Sequence, residues 1–129
     1  MDLSAPCPCD SGETFGRCCQ PFLAGTSSPA TAEALMRSRY TAYSLVDEAY
    51  LLSSWHPRTR PRQLQLSSKQ RWLGLKIKSA KDGREDDVEG EVTFVARFKV
   101  DGRGHRLEER SQFVREDECW FYLAPLELD

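Results

Sequence analysis

Four of the five cysteines fall within thirteen residues, in Cys7-Pro8-Cys9-Asp10-Ser11-Gly12-Glu13-Thr14-Phe15-Gly16-Arg17-Cys18-Cys19. The pattern is C-x-C, eight residues, then C-C. Thiolates this close in sequence converge on one point only when something holds them there, and Zn2+ at about 2.3 Å from each sulfur is the usual agent. Pro8 stiffens the first pair. Ser11-Gly12 supplies a turn that brings the chain back, and Phe15 can shield the cluster from water. Two other chemistries are open to such a group. Disulfides need an oxidising compartment, yet Met1 to Pro6 offers neither a basic nor an apolar leader segment, and adjacent Cys18 and Cys19 pair poorly with each other. A redox switch at the vicinal dithiol is the third reading. Zinc held by Cys7, Cys9, Cys18 and Cys19 is the favoured one.

Away from the cysteines, Arg39, Glu109 and His56 carry the chemistry that side-chain pattern singles out. Arg39 falls in the apolar stripe Ala32, Leu35, Met36, Tyr40, Ala42, Tyr43 and Val46, which recurs at helical spacing after the N-cap Thr31. Glu109 alternates with Leu107, Ser111 and Phe113 on one side of a strand whose other side carries Arg106, Glu108, Arg110 and Gln112. An inward Arg and an inward Glu are expected to pair, because an unpartnered buried charge costs several kcal/mol. The expectation is an Arg39–Glu109 ion pair, either a strut or the anchor of a ligand site in which Arg39 takes an anion or carboxylate. His56, after Trp55 at the end of a short helix capped by Asp47, could titrate near neutrality and serve as a general base. His56 and Glu109 are the candidate catalytic residues, though no spacing in the sequence places two such groups on one reacting atom. Tyr40 and His56 join Arg39 and Glu109 as candidate ligand-binding residues. His105 reads as exposed and Cys119 as a small buried hydrophobe.

The elements that must position these groups follow from periodicity. Gln20 to Pro29 reads as a linker, rich in small residues and proline. The helix from Thr31 precedes a second from Asp47 towards Trp55, closed by His56-Pro57, and Ser67 or Ser68 caps a short helical turn. The period then becomes two. Strands are expected over Trp72–Ser79, Val88–Val100, His105–Arg115 and Cys119–Leu126, joined by the charged loop 81–87, the Asp101-Gly102 hairpin turn and Glu116-Asp117-Glu118. Helices first and an antiparallel meander after give an α+β fold, with helices packed on one sheet face. The division is a cysteine knuckle over 1–24 and an α+β domain over 25–129.

The totals limit function. With 129 residues the chain is one ordinary domain with a small appendage, and its formal net charge of -2 weighs against a dedicated nucleic-acid binder. The charge is uneven: residues 56–84 hold nine Lys or Arg and one acid, and residues 85–129 hold thirteen acids and six bases. The basic block is a solvated face or a contact for RNA or an acidic partner. No apolar run approaches the ~20 residues of a membrane span. Clustered thiols without a leader segment make the cytoplasm the expected compartment.

Cys-Pro-Cys-x-Ser-Gly, an aromatic and then Cys-Cys resembles the SEC-C motif, a small zinc-binding module found at protein ends. Its usual form has glycine at Asp10 and lysines at Glu13, Thr14 and Gly16. The resemblance extends through Leu35-Met36-Arg37-Ser38-Arg39-Tyr40, Tyr50-Leu51, Ser54-Trp55-His56-Pro57, Trp72-Leu73-Gly74-Leu75, Phe94-Val95-Ala96-Arg97-Phe98, Glu109-Arg110-Ser111-x-Phe113 and Trp120-Phe121-Tyr122. Over nearly its whole length the chain is similar to the YchJ family, a bacterial group of unassigned role. That resemblance implies an SEC-C motif joined to a cone-shaped domain like nuclear transport factor 2, also described as cystatin-like. Some members carry a second motif at the C-terminus; this sequence offers one cluster, so one metal site is expected. The resemblance implies a binding or adaptor protein, with the knuckle docking a protein partner and the cone offering a ligand cavity or a homodimer surface. A small isomerase or dehydratase using the cavity is the alternative, and an RNA- or ribosome-associated protein is the second.

Overall fold

The structure, a computed structural model, describes residues 1–128. Four antiparallel strands run in sequence order, β1 (Arg71–Asp82), β2 (Glu89–Val100), β3 (Arg103–Glu116) and β4 (Cys119–Leu128). Three helices precede them: α1 (Gln20–Leu23), α2 (Ala32–Ser44) and α3 (Glu48–Ser53). The α+β arrangement matches the expectation. Thr31 caps α2 by accepting a hydrogen bond from the Ala34 amide at 3.1 Å, and Asp47 caps α3 through the Tyr50 amide at 3.1 Å, so polar side chains satisfy amides that each first turn leaves free. Asp101 and Gly102 both take positive φ, 51° and 78°, as a two-residue hairpin requires.

Alternation along the strands builds the core. Val92, Phe94 and Ala96 of β2 and Ser111 and Phe113 of β3 are buried on the face beneath α2, where Leu35, Met36 and Tyr40 meet them. Val95, the exception to β2 alternation, is buried too. A register shift between Trp72 and Gly74 leaves Leu73 as an extra residue, 48% exposed, after which Leu75 and Ile77 return to the inner face. The end of α3 is tied to β4: the His56 amide donates to the Tyr122 carbonyl at 2.8 Å, and the Tyr122 amide donates to the Ser54 carbonyl at 2.9 Å.

Three local expectations are corrected. The first part of the linker is helical, because Pro21 suits the first turn of α1 and partly buried Leu23 packs against the core. The capped segment before β1 is a single turn, closed by the Gln70 amide on the Ser67 carbonyl at 3.3 Å, not a helix. Cys119 is exposed, not buried: β4 begins with it, straight after the turn at Asp117 and Glu118.

Candidate functional site

The knuckle closes by backbone bonding before any metal is considered. The Cys7 amide donates to the Glu13 carbonyl at 2.9 Å and the Phe15 amide to the Ala5 carbonyl at 2.8 Å, so the Pro6 and Thr14 segments lie antiparallel. Asp10 (φ 60°) and Gly12 (φ 91°) make the reversal in left-handed conformations, and the Asp10 amide donates to the Cys7 carbonyl at 3.2 Å. A 3-10 turn over Phe15–Arg17 then delivers Cys18 and Cys19. The result brings the Sγ atoms of Cys7, Cys9, Cys18 and Cys19 within 4.8 Å of one another.

Cys9 and Cys18 sulfurs lie 3.5 Å apart, and Cys18 and Cys19 sulfurs 3.9 Å. Tetrahedral sulfurs about 2.3 Å from one zinc stand about 3.8 Å apart, and a disulfide needs about 2.05 Å. All four thiols are free. Cys7, Cys9 and Cys19 are buried, and Cys18 is half-buried. Hydroxyls surround the sulfurs: Thr41 donates to Cys19 Sγ at 3.3 Å, and Ser11 Oγ lies 3.1 Å from Cys18 Sγ. A hydrogen bond from Cys19 pulls the Cys9 thiol down to about 4. Burial pushes Cys18 up to about 11, and Cys19, holding its proton towards Cys9, is also raised. The donor set fits a soft divalent metal.

The cluster is built into the domain. Arg37 Nη1 of α2 donates to the Cys9 carbonyl at 2.9 Å. Asp10, at the position where glycine is usual, accepts from the Leu75 amide of edge strand β1 at 3.0 Å. Gly74 permits that approach, since a Cβ there would stand 2.9 Å from Asp10 Oδ2. Three of the cysteines and Phe15 belong to the same buried cluster as Leu35, Phe94 and Trp120.

On the other side of α2 is a cavity of about 280 Å3 between helix and sheet, lined mainly by rings, among them Tyr40, Tyr43, Trp72, Phe94 and Tyr122. Arg39 and Glu109 both line it. The expected ion pair between them is not made. Arg39 is 3% exposed and donates through Nη1 to the Leu51 carbonyl at 2.8 Å and to Ser54 Oγ at 2.6 Å. Its guanidinium lies 4.6 Å from the centre of the Tyr122 ring and 5.1 Å from that of Trp55. Carbonyl, hydroxyl and ring faces thus do the work assigned to a carboxylate, and burial lowers the Arg39 pKa. Glu109 accepts instead from the Ser111 hydroxyl and, at 3.3 Å, from the Tyr122 hydroxyl, both through Oε2. Among the described residues Oε1 has no protein partner, yet no buried polar side-chain atom is left unsatisfied. Oε1 therefore keeps access to the cavity.

His56 lies outside this cavity. Its Nδ1 accepts from the Arg58 amide at 3.0 Å, its Nε2 meets Glu116, and Phe121 packs edge-on at 5.8 Å. His56 and Glu109 therefore do not face one reacting atom. Of the four candidate ligand-binding residues, Arg39, Tyr40 and Glu109 come together and His56 does not. Sequence reasoning missed Thr41, whose threonine identity within an apolar stripe was the available signal, and Ser54, a buried serine at a helix end.

No helix among the described residues is long and apolar enough to cross a membrane. The profile of the YchJ middle NTF2-like domain matches residues 31–125, and that of the SEC-C motif matches residues 4–21. A UPF0225 protein of Chromobacterium violaceum is 50% identical over 126 residues, covering 95% of this chain and 93% of the relative. A UPF0225 protein of Streptomyces coelicolor is 49% identical over 117 residues, covering 91% of each. The solution structure of a SEC-C motif containing protein from Rhodopseudomonas palustris aligns with a TM-score of 0.82 at 33% identity, covering 95% of this chain and 98% of that one. The crystal structure of a SEC-C motif containing protein from Psychrobacter arcticus aligns with a TM-score of 0.79 at 26% identity, covering 98% and 85%. A four-cysteine knuckle on an α+β domain of this kind, together with these matches, makes the chain a member of the YchJ (UPF0225) family, with an SEC-C motif and an NTF2-like domain.

Proposed function

We propose that the chain is a zinc-holding binding protein of the cytoplasm, whose knuckle meets a protein partner and whose cavity receives a small ligand. The observation that carries the proposal is the convergence of four sulfurs within 4.8 Å at spacings suited to a closed tetrahedral thiolate set. Cys7, Cys9, Cys18 and Cys19 would hold the ion. With all four positions filled, zinc contributes folding energy and leaves no open site for substrate. Thr41 and Ser11 place hydroxyl donors at the sulfurs, in the outer-shell role that fixes metal ligands.

For the cavity, binding is favoured over acid/base catalysis, because the two groups proposed for catalysis face different spaces. Aromatic walls would hold an apolar body, and Glu109 Oε1 would accept from a donor on the ligand.

The first test is metal content by mass spectrometry of protein purified without chelator, beside a Cys18→Ser/Cys19→Ser variant. The expected result is about one zinc per chain, lost in the variant. Protein without metal, with four titratable thiols or a disulfide in its place, overturns the zinc reading.

A further inference from the structure

The sheet sorts the chain's charges in a way that the near-neutral total conceals. Trp72 pairs with Phe98 and Leu75 with Ala96 on the face beneath α2, so their chain neighbours Arg71, Arg97 and Lys99 stand on the outer face. There Arg71 and Lys99 are direct cross-strand partners, and Arg97 lies directly opposite Arg106. Lys76 and Lys78 extend the row along β1. The acid among these six bases is Glu108, which binds Arg106 at 2.8 Å and Lys78 at 3.3 Å. Among the described residues Arg71, Lys76, Arg97 and Lys99 have no ion-pair partner. Asp10 lies at the edge of this face, with its carboxylate bonded to the Leu75 amide.

Like charges directly opposite each other destabilise a sheet. This chain has 20 acidic residues against 18 basic ones, so its composition does not force two such pairs side by side. The arrangement brings no packing return, since Arg71, Lys76, Arg97 and Lys99 are all exposed. A local rule broken without structural gain points to a partner that supplies the missing charge. Between the rows runs a groove of about 450 Å3, lined by Asp10, Leu73, Lys76, Val95, Arg97 and Arg106 among others. Same-face residues repeat every ~6.8 Å along a strand, commensurate with successive phosphates of an extended polynucleotide. Three of the six cations are guanidiniums, which take phosphate oxygens in pairs. The rings of Trp72, Phe94 and Phe98 all belong to the inner face, so the outer surface has no platform on which bases would stack. Exposed Leu73 alone gives little apolar surface for a bilayer.

We infer that the outer face of β1, β2 and β3 binds the phosphodiester backbone of a nucleic-acid strand without reading its sequence. This surface is separate from the metal cluster and the cavity, and the inference stands whether or not zinc or a small ligand is found there.

The test is fluorescence anisotropy of a labelled oligouridylate titrated with the full chain at low salt, with oligothymidylate, polyglutamate and anionic phospholipid vesicles as competitors. Binding should weaken with salt, at roughly 0.7 log units per log unit for each phosphate neutralised. The variant Arg97→Glu/Lys99→Glu places carboxylates opposite Arg106 and Arg71. Its melting temperature should therefore hold or rise while affinity falls at least tenfold. Arg97→Gln/Lys99→Gln should lose affinity in the same direction, and Arg58→Glu/Arg60→Glu in the loop before β1 should not. Competition by oligothymidylate supports the shared backbone chemistry. No binding to oligouridylate overturns the inference, as does undiminished binding by the Arg97→Glu/Lys99→Glu variant. Competition by polyglutamate or vesicles as strong as that by nucleic acid also overturns it.

Discussion

Arg39 and Glu109 show what a single residue can and cannot announce. That both point inward follows from helical and strand periodicity, and both line the cavity. Their separation does not follow, because the partners that satisfy Arg39 are a carbonyl of α3, the Ser54 hydroxyl and two rings that only the folded chain assembles. The consequence is asymmetric. Glu109→Gln keeps an acceptor for Ser111 and Tyr122 and should change stability by less than about 0.5 kcal/mol. Arg39→Lys moves the donor away from the Leu51 carbonyl and Ser54 hydroxyl that Nη1 reaches, removes the planar group from the Trp55 and Tyr122 rings, and should cost about 2 kcal/mol. Urea unfolding of the two variants separates this arrangement from the ion pair, which would make both costly. Asp10 teaches a similar lesson. Its departure from the usual glycine is plain in the sequence, but its bond to the Leu75 amide is not, since the partner lies 65 residues away.

Among elements, the hairpins and helix caps were the most legible, since Thr31, Asp47 and Asp101-Gly102 act through neighbours within a few residues. The contact between the end of β1 and the start of α2 was not. Gly83, at φ 74°, accepts from the Ala32 amide at 2.9 Å through its carbonyl, and its own amide donates to the Glu89 carbonyl at 3.1 Å. A Cβ on Gly90 would stand 2.5 Å from Gly83 Cα and 2.8 Å from its nitrogen. Both obstacles are backbone and cannot swing aside. Gly90→Ala should therefore destabilise by about 2–3 kcal/mol, read as a fall in denaturation midpoint, and should loosen the first turn of α2 in hydrogen exchange. Short α1 was hidden for another reason: Pro21 and the small residues that follow the helix, Ala24 to Ser28, have the composition of a linker, and packing of Leu23 on the core holds the four residues as a helix.

Across the whole molecule, aromatic hydroxyls set a limit at high pH. Burial raises the pKa of Tyr40, Tyr50 and Tyr122 above the ordinary 10.0, to about 12 for Tyr40. Each phenol binds its proton more tightly in the folded chain than in the unfolded one. Their contribution to stability is complete below the ordinary value and is lost as pH rises through the raised ones. Denaturation midpoints should accordingly decline from about pH 10 upward, with tyrosinate absorbance appearing together with loss of fold. Early, reversible ionisation of all the tyrosines in a folded chain would contradict the packing of Tyr40 and Tyr122 around the cavity. The α+β class and the inward face of β3 were legible because alternation is a local property. The partners taken by Arg39 and Glu109 and the outer charge rows were not, because they depend on packing between distant elements, on cross-strand register and on the bulge at Leu73.

The knuckle's mooring to β1 also has a meaning in time. Ribosomes deliver Cys7 to Cys19 before Leu75, and the loop from Asp10 to Leu75 spans half the chain. The thiol cluster is therefore complete as a chemical unit while its dock does not yet exist. Thr41 and Arg37 reach it once α2 has emerged, and Leu75 only when the first strand has been made. During that interval the clustered thiols lack the Thr41 hydroxyl on Cys19 and the Leu75 amide on Asp10 that fix the knuckle in the folded chain.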